Sequence, residues 1–300
     1  MKGYYSGKRQ LREDIAGYCF ISPWLIAFIA FSIIPIVMSM AYSFTDYDIL
    51  GSPVFNGLAN FKRMGTDPQF WKSLAVTFSY AFVAVPLRLV FAFLIAALFK
   101  RPSRMIRFYQ AAYYVPSLVG GSITIAIVWR RMFSTDGLVN IVLQAIGINS
   151  VKSWIGSADT ALGVMVILAV WQFGSSMLIF LAGLRQIPKT YYEAASIDGA
   201  GWFRQFFHIT LPQMTSIIFF NLVMQLISGF TVFTQAFIIS GGRGEPQGST
   251  LVYALYLYLR SFSYYEMGYG SALAWVLVLI IAVFTALLFK TSDRWVFYES

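Results

Sequence analysis

Six stretches of the chain are almost free of charge and much longer than a globular core element: about 15–44, 70–99, 107–133, 160–182, 212–240 and 267–290. At about 1.5 Å of helical rise per residue, each can cross a hydrocarbon layer of about 30 Å, several with length to spare for tilt. No two-residue alternation is sustained, so the short strands of a membrane barrel are not expected. Lipid cannot satisfy exposed backbone groups, which leaves helices. The pattern predicts an all-α integral membrane protein with six transmembrane helices, residues 1–300 forming a single domain. The first stretch follows Lys8, Arg9 and Arg12 and contains Ser39-Met40-Ala41, a faint likeness of a cleavage site. Its apolar run is about twice that of a signal peptide, so it reads as an uncleaved anchor.

Composition narrows the class further. Of 300 residues 58% are hydrophobic and 12% charged, about half the charge of a soluble domain. That excludes an ordinary soluble enzyme, and it is the opposite of a disordered chain. A net charge of +9 would point to nucleic acid in a soluble protein, so the placement of the 22 Lys and Arg residues decides. With the N-terminus inside, thirteen fall in inner segments: Lys2, Lys8, Arg9 and Arg12; Lys100, Arg101, Arg104 and Arg107; Arg185, Lys189 and Arg204; Lys290 and Arg294. The longer outer segments hold eight: Lys62, Arg63, Lys72, Arg130, Arg131, Lys152, Arg243 and Arg260. Both termini are therefore expected in the cytoplasm of a multi-pass cell-membrane protein. The basic charge is a topology signal and no nucleic-acid partner is expected. One cysteine, Cys19, allows no internal disulfide, and one histidine, His208, allows no imidazole pair for a metal. Gly241 to Gly248 is glycine-rich, but no Lys follows Gly248 and the spacing is not that of a phosphate loop. No nucleotide-hydrolysing motif is visible, so the energy for any uphill transport enters from elsewhere.

The segment between the fourth and fifth stretches, about 183–211, differs in character. Pro188 can open a short helix that continues from Tyr191 to Ile197; Gly199 and Gly201 break it before an aromatic helix, Trp202–Ile209. Two short helices about a glycine turn make a knob too apolar for a solvated loop, suited to packing under the membrane helices or into a partner. Glu193 near the helix start can stabilise its dipole or pair with a basic group, and Gly199 permits a turn that a side chain would obstruct. The plainer alternative is that the one caps the helix and the other ends it. Glu193-Ala194-Ala195, Asp198-Gly199-Ala200, Ile209 and Leu211-Pro212, without an insertion between them, resemble the EAA loop of permease subunits of binding-protein-dependent ABC importers. Gly241-Gly242, Ser249-Thr250, Tyr256 and Gly268-Tyr269-Gly270-Ser271-Ala272 are similar to the end of carbohydrate permeases of the maltose and glycerol-phosphate group. The one departure is Arg243-Gly244-Glu245, which lengthens the outer turn before Pro246.

The resemblance implies a coupling role for Glu193, Ala194, Ala195, Asp198 and Gly199, whose loop would dock in a groove of a cytoplasmic ATPase. It also implies partners: a second, homologous permease subunit in a heterodimer, two ATPase subunits that bind the ATP, an extracytoplasmic solute-binding protein, and a sugar or oligosaccharide, all in membrane lipid. No cofactor belongs to this chain itself.

Polar residues inside the spans supply candidates for the path. Arg88 lies twelve residues before Lys100, roughly 18 Å from the cytoplasmic end. A charge there costs at least ~2.5 kcal/mol facing lipid. It either walls a translocation path or serves as a structural arginine on carbonyls freed near Pro86. Gln172, Ser175 and Ser176 precede the loop, and Asn221, Gln225, Ser228 and Gln235 follow it; Asn221, Gln225 and Ser228 share a helical face. By resemblance Gln172, Ser175, Gln225 and Gly229 fall near a sugar site, where Trp171 or Phe230 can stack on a pyranose. Hydrogen bonding between helices is the competing reading. The Phe219-Phe220 pair reads as lipid-facing packing.

Two other classes are weighed. An ion-coupled secondary transporter needs carboxylates deep in the spans, and none of the 13 acidic residues lies there. A membrane enzyme needs a cluster of nucleophile, base or metal ligands. An importer of a non-sugar solute keeps the mechanism and changes the cargo; a charged cargo would find Arg88 as its one cation, so a uronic sugar stays open.

Overall fold

A computed structural model describes residues 7–100, 104–148 and 152–297. Lys2, Arg101 and residues 149–151 lie outside the described residues, and of Lys8, Arg9, Arg12 and Arg104 only the backbone is described. The chain divides into two compact units, Met1–Gly65 with Arg260–Trp275, and Thr66–Leu259 with Val276–Ser300.

In the first unit α1 (Gly7–Phe28), a π-helical turn (Ile29–Ile33) and α2 (Ile34–Tyr42) run on as one apolar helix from Glu13 to Tyr42, with none of its apolar window buried. Ile34 N–H donates five residues back, to the Ile29 carbonyl. The wider turn accommodates Pro35, which has no N–H to offer the ladder. After it come β1 (Thr45–Asp46) and β2 (Val54–Phe55), an antiparallel pair with Thr45 opposite Phe55. This two-residue hairpin corrects the purely helical expectation. Asn60 on α3 (Ala59–Thr66) holds it: its buried amide donates to the carbonyls of Ser43 and Thr45 at 3.0 and 2.8 Å. Glu266 accepts from Arg63 at 2.9 Å and from Arg260 at 3.2 Å, tying the distant segment into the same unit.

The second unit is built on α4 (Pro68–Leu98), a 31-residue helix capped by Asp67, whose side chain accepts from Gln69 N–H and Phe70 N–H. The rest of this unit is helical. It comprises α5 (Arg104–Val119), α6 (Ile123–Met132), α7 (Leu138–Ala145), α8 (Ala158–Trp171), α9 (Gly174–Gln186), α10 (Lys189–Ile197), α11 (Trp202–Gln205), α12 (Leu211–Phe230), α13 (Thr234–Ile239) and α14 (Tyr253–Tyr258); α15 (Met267–Ser292) is the last helix of the chain. Ala81, Ala84, Ala92 and Ala96 line one face of α4 and are almost wholly buried. Small residues let α8, α9 and α12 approach that face, as membrane helices require where burial from water does not drive association. Val85, Leu89, Phe173, Met177, Phe180, Leu184 and Met214 fill the space between.

Four helices are long and apolar enough to cross a membrane, and six if each of two bent pairs is one span. The expected third stretch, 107–133, is broken: α5 and α6 meet at 98° across Gly120-Gly121, where Ser122 caps the new helix by accepting from Ile125 N–H. The fourth, 160–182, bends by 41° at Gln172-Phe173. The fifth does not start at Pro212. Helix runs from Trp202 through a π turn (Phe206–Thr210) into α12, so the expected separate helix Trp202–Ile209 is the near end of a 38-residue stretch that reaches Ile239 with a break at 231–233. Here too the π turn ends just before a proline, Leu211 N–H reaching back to the Phe206 carbonyl. Of the Phe219-Phe220 pair only Phe220 is exposed; Phe219 packs edge-on against Phe289 and Trp295.

Helix α9 packs closely on α12 at Gly183. A methyl group there would stand 2.0 Å from Ile217 Cδ1 and 3.1 Å from Met214 Sδ on α12. Gly183→Val therefore has to displace the Ile217 and Met214 side chains that fill this contact, at a cost of about 1–3 kcal/mol. The thermal midpoint of the detergent-solubilised protein is expected to fall for Gly183→Val and to hold for Gly163→Ala on α8, where the added carbon meets nothing within 4 Å.

Candidate functional site

Three interruptions of helix lie around one cavity of about 220 Å³, between α5 and α6 at Gly121, between α8 and α9 at Gln172, and between α12 and α13 at Thr231-Val232-Phe233. Tyr80, Ala84, Val85 and Arg88 of α4 form the wall that links them. Unpaired backbone inside an apolar layer is tolerated only where protein or a water-lined cavity receives it.

The Gln172 break shows how. Its carbonyl, left over at the end of α8, accepts from Arg88 Nη2 at 2.5 Å and from Ser117 Oγ at 2.9 Å. Ser117 Oγ in turn accepts from Ser175 N–H at 3.0 Å, one of the donors at the start of α9 that have no partner within the helix. The Gln172 side chain donates to the Gly120 carbonyl at 3.1 Å, so two breaks satisfy each other. Glycine is needed for this approach, because a Cβ on Gly120 would lie 2.3 Å from Gln172 Cδ, and one on Gly174 would lie 2.4 Å from the Tyr113 carbonyl. On the far side Gln225 donates to Ser176 Oγ at 3.2 Å, and Gly229 allows the end of α12 to close on Ala81 and Val85.

Arg88, Gln172, Gln225 and Gly229 are thus brought to one cavity, together with Ser228 and Gln235. Two other candidates are not among its lining. Ser175 contributes through its backbone, and Asn221 is buried with its amide turned to the Ile217 carbonyl of its own helix. The expected shared face of Asn221, Gln225 and Ser228 therefore does not all open on the cavity. Arg88 does hold a freed carbonyl, but at the Gln172 break on another helix and not near Pro86. Trp171 lies against Trp129, and Phe230 is enclosed by Phe78 and Phe284; neither is among the cavity's lining residues. Tyr80 and Phe233 supply the aromatic wall in their place. Thr231 to Phe233 carried no motif; their role comes from a break that an unbroken apolar run conceals.

The second candidate region is the 183–211 loop. Helix α10 ends on a left-handed Gly199, φ +74°, with Ala200 N–H donating to the Ala195 carbonyl at 2.8 Å and Gly199 N–H to the Ser196 carbonyl at 3.1 Å. That is the paired bonding of a Schellman stop, and it accounts for a glycine at this position. Glu193 stands at the fifth residue of α10, outside the first turn, so the expected dipole interaction is not what it supplies. Glu193, Ala194, Asp198 and Gly199 are exposed, as are Ile197, Trp202, Phe203 and Phe207. The loop is fixed to the body by Tyr192: its hydroxyl pairs with Thr210 Oγ1 at 2.8 Å and Lys100 Nζ sits 3.9 Å above its ring. Gln205 closes the knob, donating to Ser196 Oγ and the Ala200 carbonyl.

Both regions fall within residues 68–297, which match the family model described as the binding-protein-dependent transport system inner membrane component. The chain belongs to that family. Among its relatives, a probable ABC transporter permease protein, YesP, of Bacillus subtilis is 51% identical, covering 97% of this chain and 95% of the relative. The arabinooligosaccharides transport system permease protein AraP of the same organism is 32% identical, covering 96% and 92%. A chain of a bacterial alginate ABC transporter, solved in complex with an alginate pentasaccharide-bound periplasmic protein, has the same fold: TM-score 0.82 over 95% of this chain and 96% of that one, at 20% identity. This chain is accordingly a permease component of a transport system, a multi-pass membrane protein and not an enzyme.

The permease depends on Ser117 at the junction of α5, α8 and α9. Ser117→Ala leaves Ser175 N–H and part of the Gln172 carbonyl without a partner, a loss of about 1–3 kcal/mol. A lowered thermal midpoint is expected for Ser117→Ala, with recovery in Ser117→Thr, which restores the hydroxyl; differential scanning fluorimetry in detergent reads both.

Proposed function

We propose that this permease forms half of the translocation path of an ATP-driven sugar importer, and that the cavity at the three helix breaks is where the sugar passes. The observation that carries the reading is the convergence of those breaks on one cavity lined by polar as well as apolar residues. Interrupted membrane helices are the usual source of polar groups for a solute near the bilayer midplane. Gln172, Gln225, Ser228 and Gln235 offer the amides and hydroxyls that sugar hydroxyls pair with, and Tyr80 and Phe233 offer ring faces. The names of the relatives agree on cargo class: arabinooligosaccharides, lactose, and trehalose with maltose. In this reading Arg88, Gln172, Gln225 and Gly229 contact the path directly, while Ser175 and Asn221 support it through the backbone and packing.

The two bent helix pairs each count as one crossing in this reading, giving six spans with both termini in the cytoplasm, as the excess of Lys and Arg in the inner segments requires. The 183–211 loop then faces the cytoplasm. Its exposed apolar surface, unusual for a solvated loop, is the docking face for a partner ATPase. Glu193, Ala194, Ala195, Asp198 and Gly199 are its contact residues. Two ATPase subunits, a second homologous permease and an extracytoplasmic solute-binding protein complete the assembly, and ATP is hydrolysed by the ATPases.

Affinity purification of the tagged chain from its native membrane, followed by mass spectrometry, is expected to recover a second permease and an ATPase. Gly199→Val places a β-branched side chain in the left-handed region, at a cost of about 1 kcal/mol or more, at a site with nothing within 4 Å of its Cβ. It is expected to release the ATPase and abolish sugar uptake while the thermal midpoint of the isolated permease moves little. Retention of the ATPase at wild-type level would remove the loop from the coupling path, and uptake without ATP would reinstate a secondary transporter.

A further inference from the structure

We infer that the cargo is an acidic sugar, its carboxylate held by the guanidinium of Arg88; the inference rests on the sugar-permease reading of the same cavity. Arg88 is the one formally charged residue among the described residues that line it, and no carboxylate of the wall balances it. Its Nη2 is given to a neutral acceptor, the Gln172 carbonyl, and its Nε is buried without a hydrogen-bond partner. A guanidinium is a rigid fork of five donors with no acceptor, shaped to take both oxygens of a carboxylate at once. Holding one leftover carbonyl does not call for a permanent cation. The Ser117 hydroxyl already donates to that same oxygen. A cation kept within an apolar span is expensive unless something compensates it, and here the compensation the wall omits is what an anionic ligand would bring. The rest of the wall restricts which anion fits. Amides, hydroxyls and the aromatic residues Tyr80 and Phe233 on the wall suit a sugar ring.

The test uses the whole complex, with partner permease, ATPases and binding protein, in proteoliposomes. Uptake of labelled digalacturonate, diglucuronate and dimannuronate is compared with that of the same disaccharides after reduction of their carboxylates to alcohols. At least one uronic disaccharide is expected to enter about tenfold faster than its reduced counterpart. Arg88→Gln is expected to remove about that tenfold advantage, and Arg88→Lys, a point charge without the fork, to retain part of it. Neutral disaccharides entering as fast as or faster than the uronic ones in the wild type would overturn the inference. So would wild-type uronic uptake by Arg88→Gln. Equal loss of uptake in both variants, together with equally lowered thermal midpoints, would reduce Arg88 to a structural clasp and also overturn it. If no sugar of either kind enters while the ATPases remain active, it is the sugar reading itself that fails.

Discussion

The structure turns on the carbonyl of Gln172. An α-helix inside an apolar layer can stop only if the groups it leaves behind find other partners. At this stop one oxygen receives both Arg88 from α4 and Ser117 from α5, while the Gln172 side chain caps the neighbouring break at Gly120. Four helices thereby meet at a point where none could end alone. The cavity follows from that arrangement, since chain diverted at three breaks cannot also fill the space that continuous helices would occupy.

Close packing makes the arrangement possible. Gly120, Gly174, Gly183 and Gly229 each stand where a single added carbon would meet another helix at 3.3 Å or less. The buried alanines of α4 repeat the device along its length. In lipid such proximity replaces the hydrophobic drive that assembles a soluble bundle. It also explains why polar residues that look alike in sequence do different things. Gln225 reaches the cavity and bonds Ser176 across the helix contact, whereas Asn221, one turn earlier, is enclosed and turns back to its own helix.

Long apolar runs made the helices legible in the sequence, because the length needed to cross a membrane leaves few alternatives. The loop at 183–211 was legible for a different reason: Gly199 and the residues before it write out a helix stop in local chemistry, and the structure reads Lys189–Ile197 where a short helix was expected. The breaks were not legible. Gly120-Gly121 gives a hint, but Gln172-Phe173 and Thr231-Val232-Phe233 are as apolar or as helix-compatible as their neighbours, and the groups freed at Gln172 find partners far away in the chain. That is why Tyr80 and Phe233 were missed and Trp171 and Phe230 were favoured: which aromatic faces a cavity depends on where the helix turns aside. Arg88 was expected either to wall a path or to hold carbonyls freed near Pro86, and the carbonyl it does hold could not be read from the sequence because it is 84 residues away.

The rod from Trp202 to Ile239 bears on how the two candidate regions act together. Its near end is the aromatic half of the exposed loop, and its far part is interrupted at Thr231 to Phe233, on the wall of the cavity. The π turn at Phe206–Thr210 keeps helix continuous past Pro212, from the loop into α12. Tyr192, bonded to Thr210, couples α10 to the same rod. On the proposed function, a displacement applied by an ATPase to the knob is carried along α12 with little loss, and it is taken up at the first place where helical bonding is interrupted. That place is the cavity wall, so on the same proposal the interruption that exposes polar groups to the solute is also where their arrangement would change.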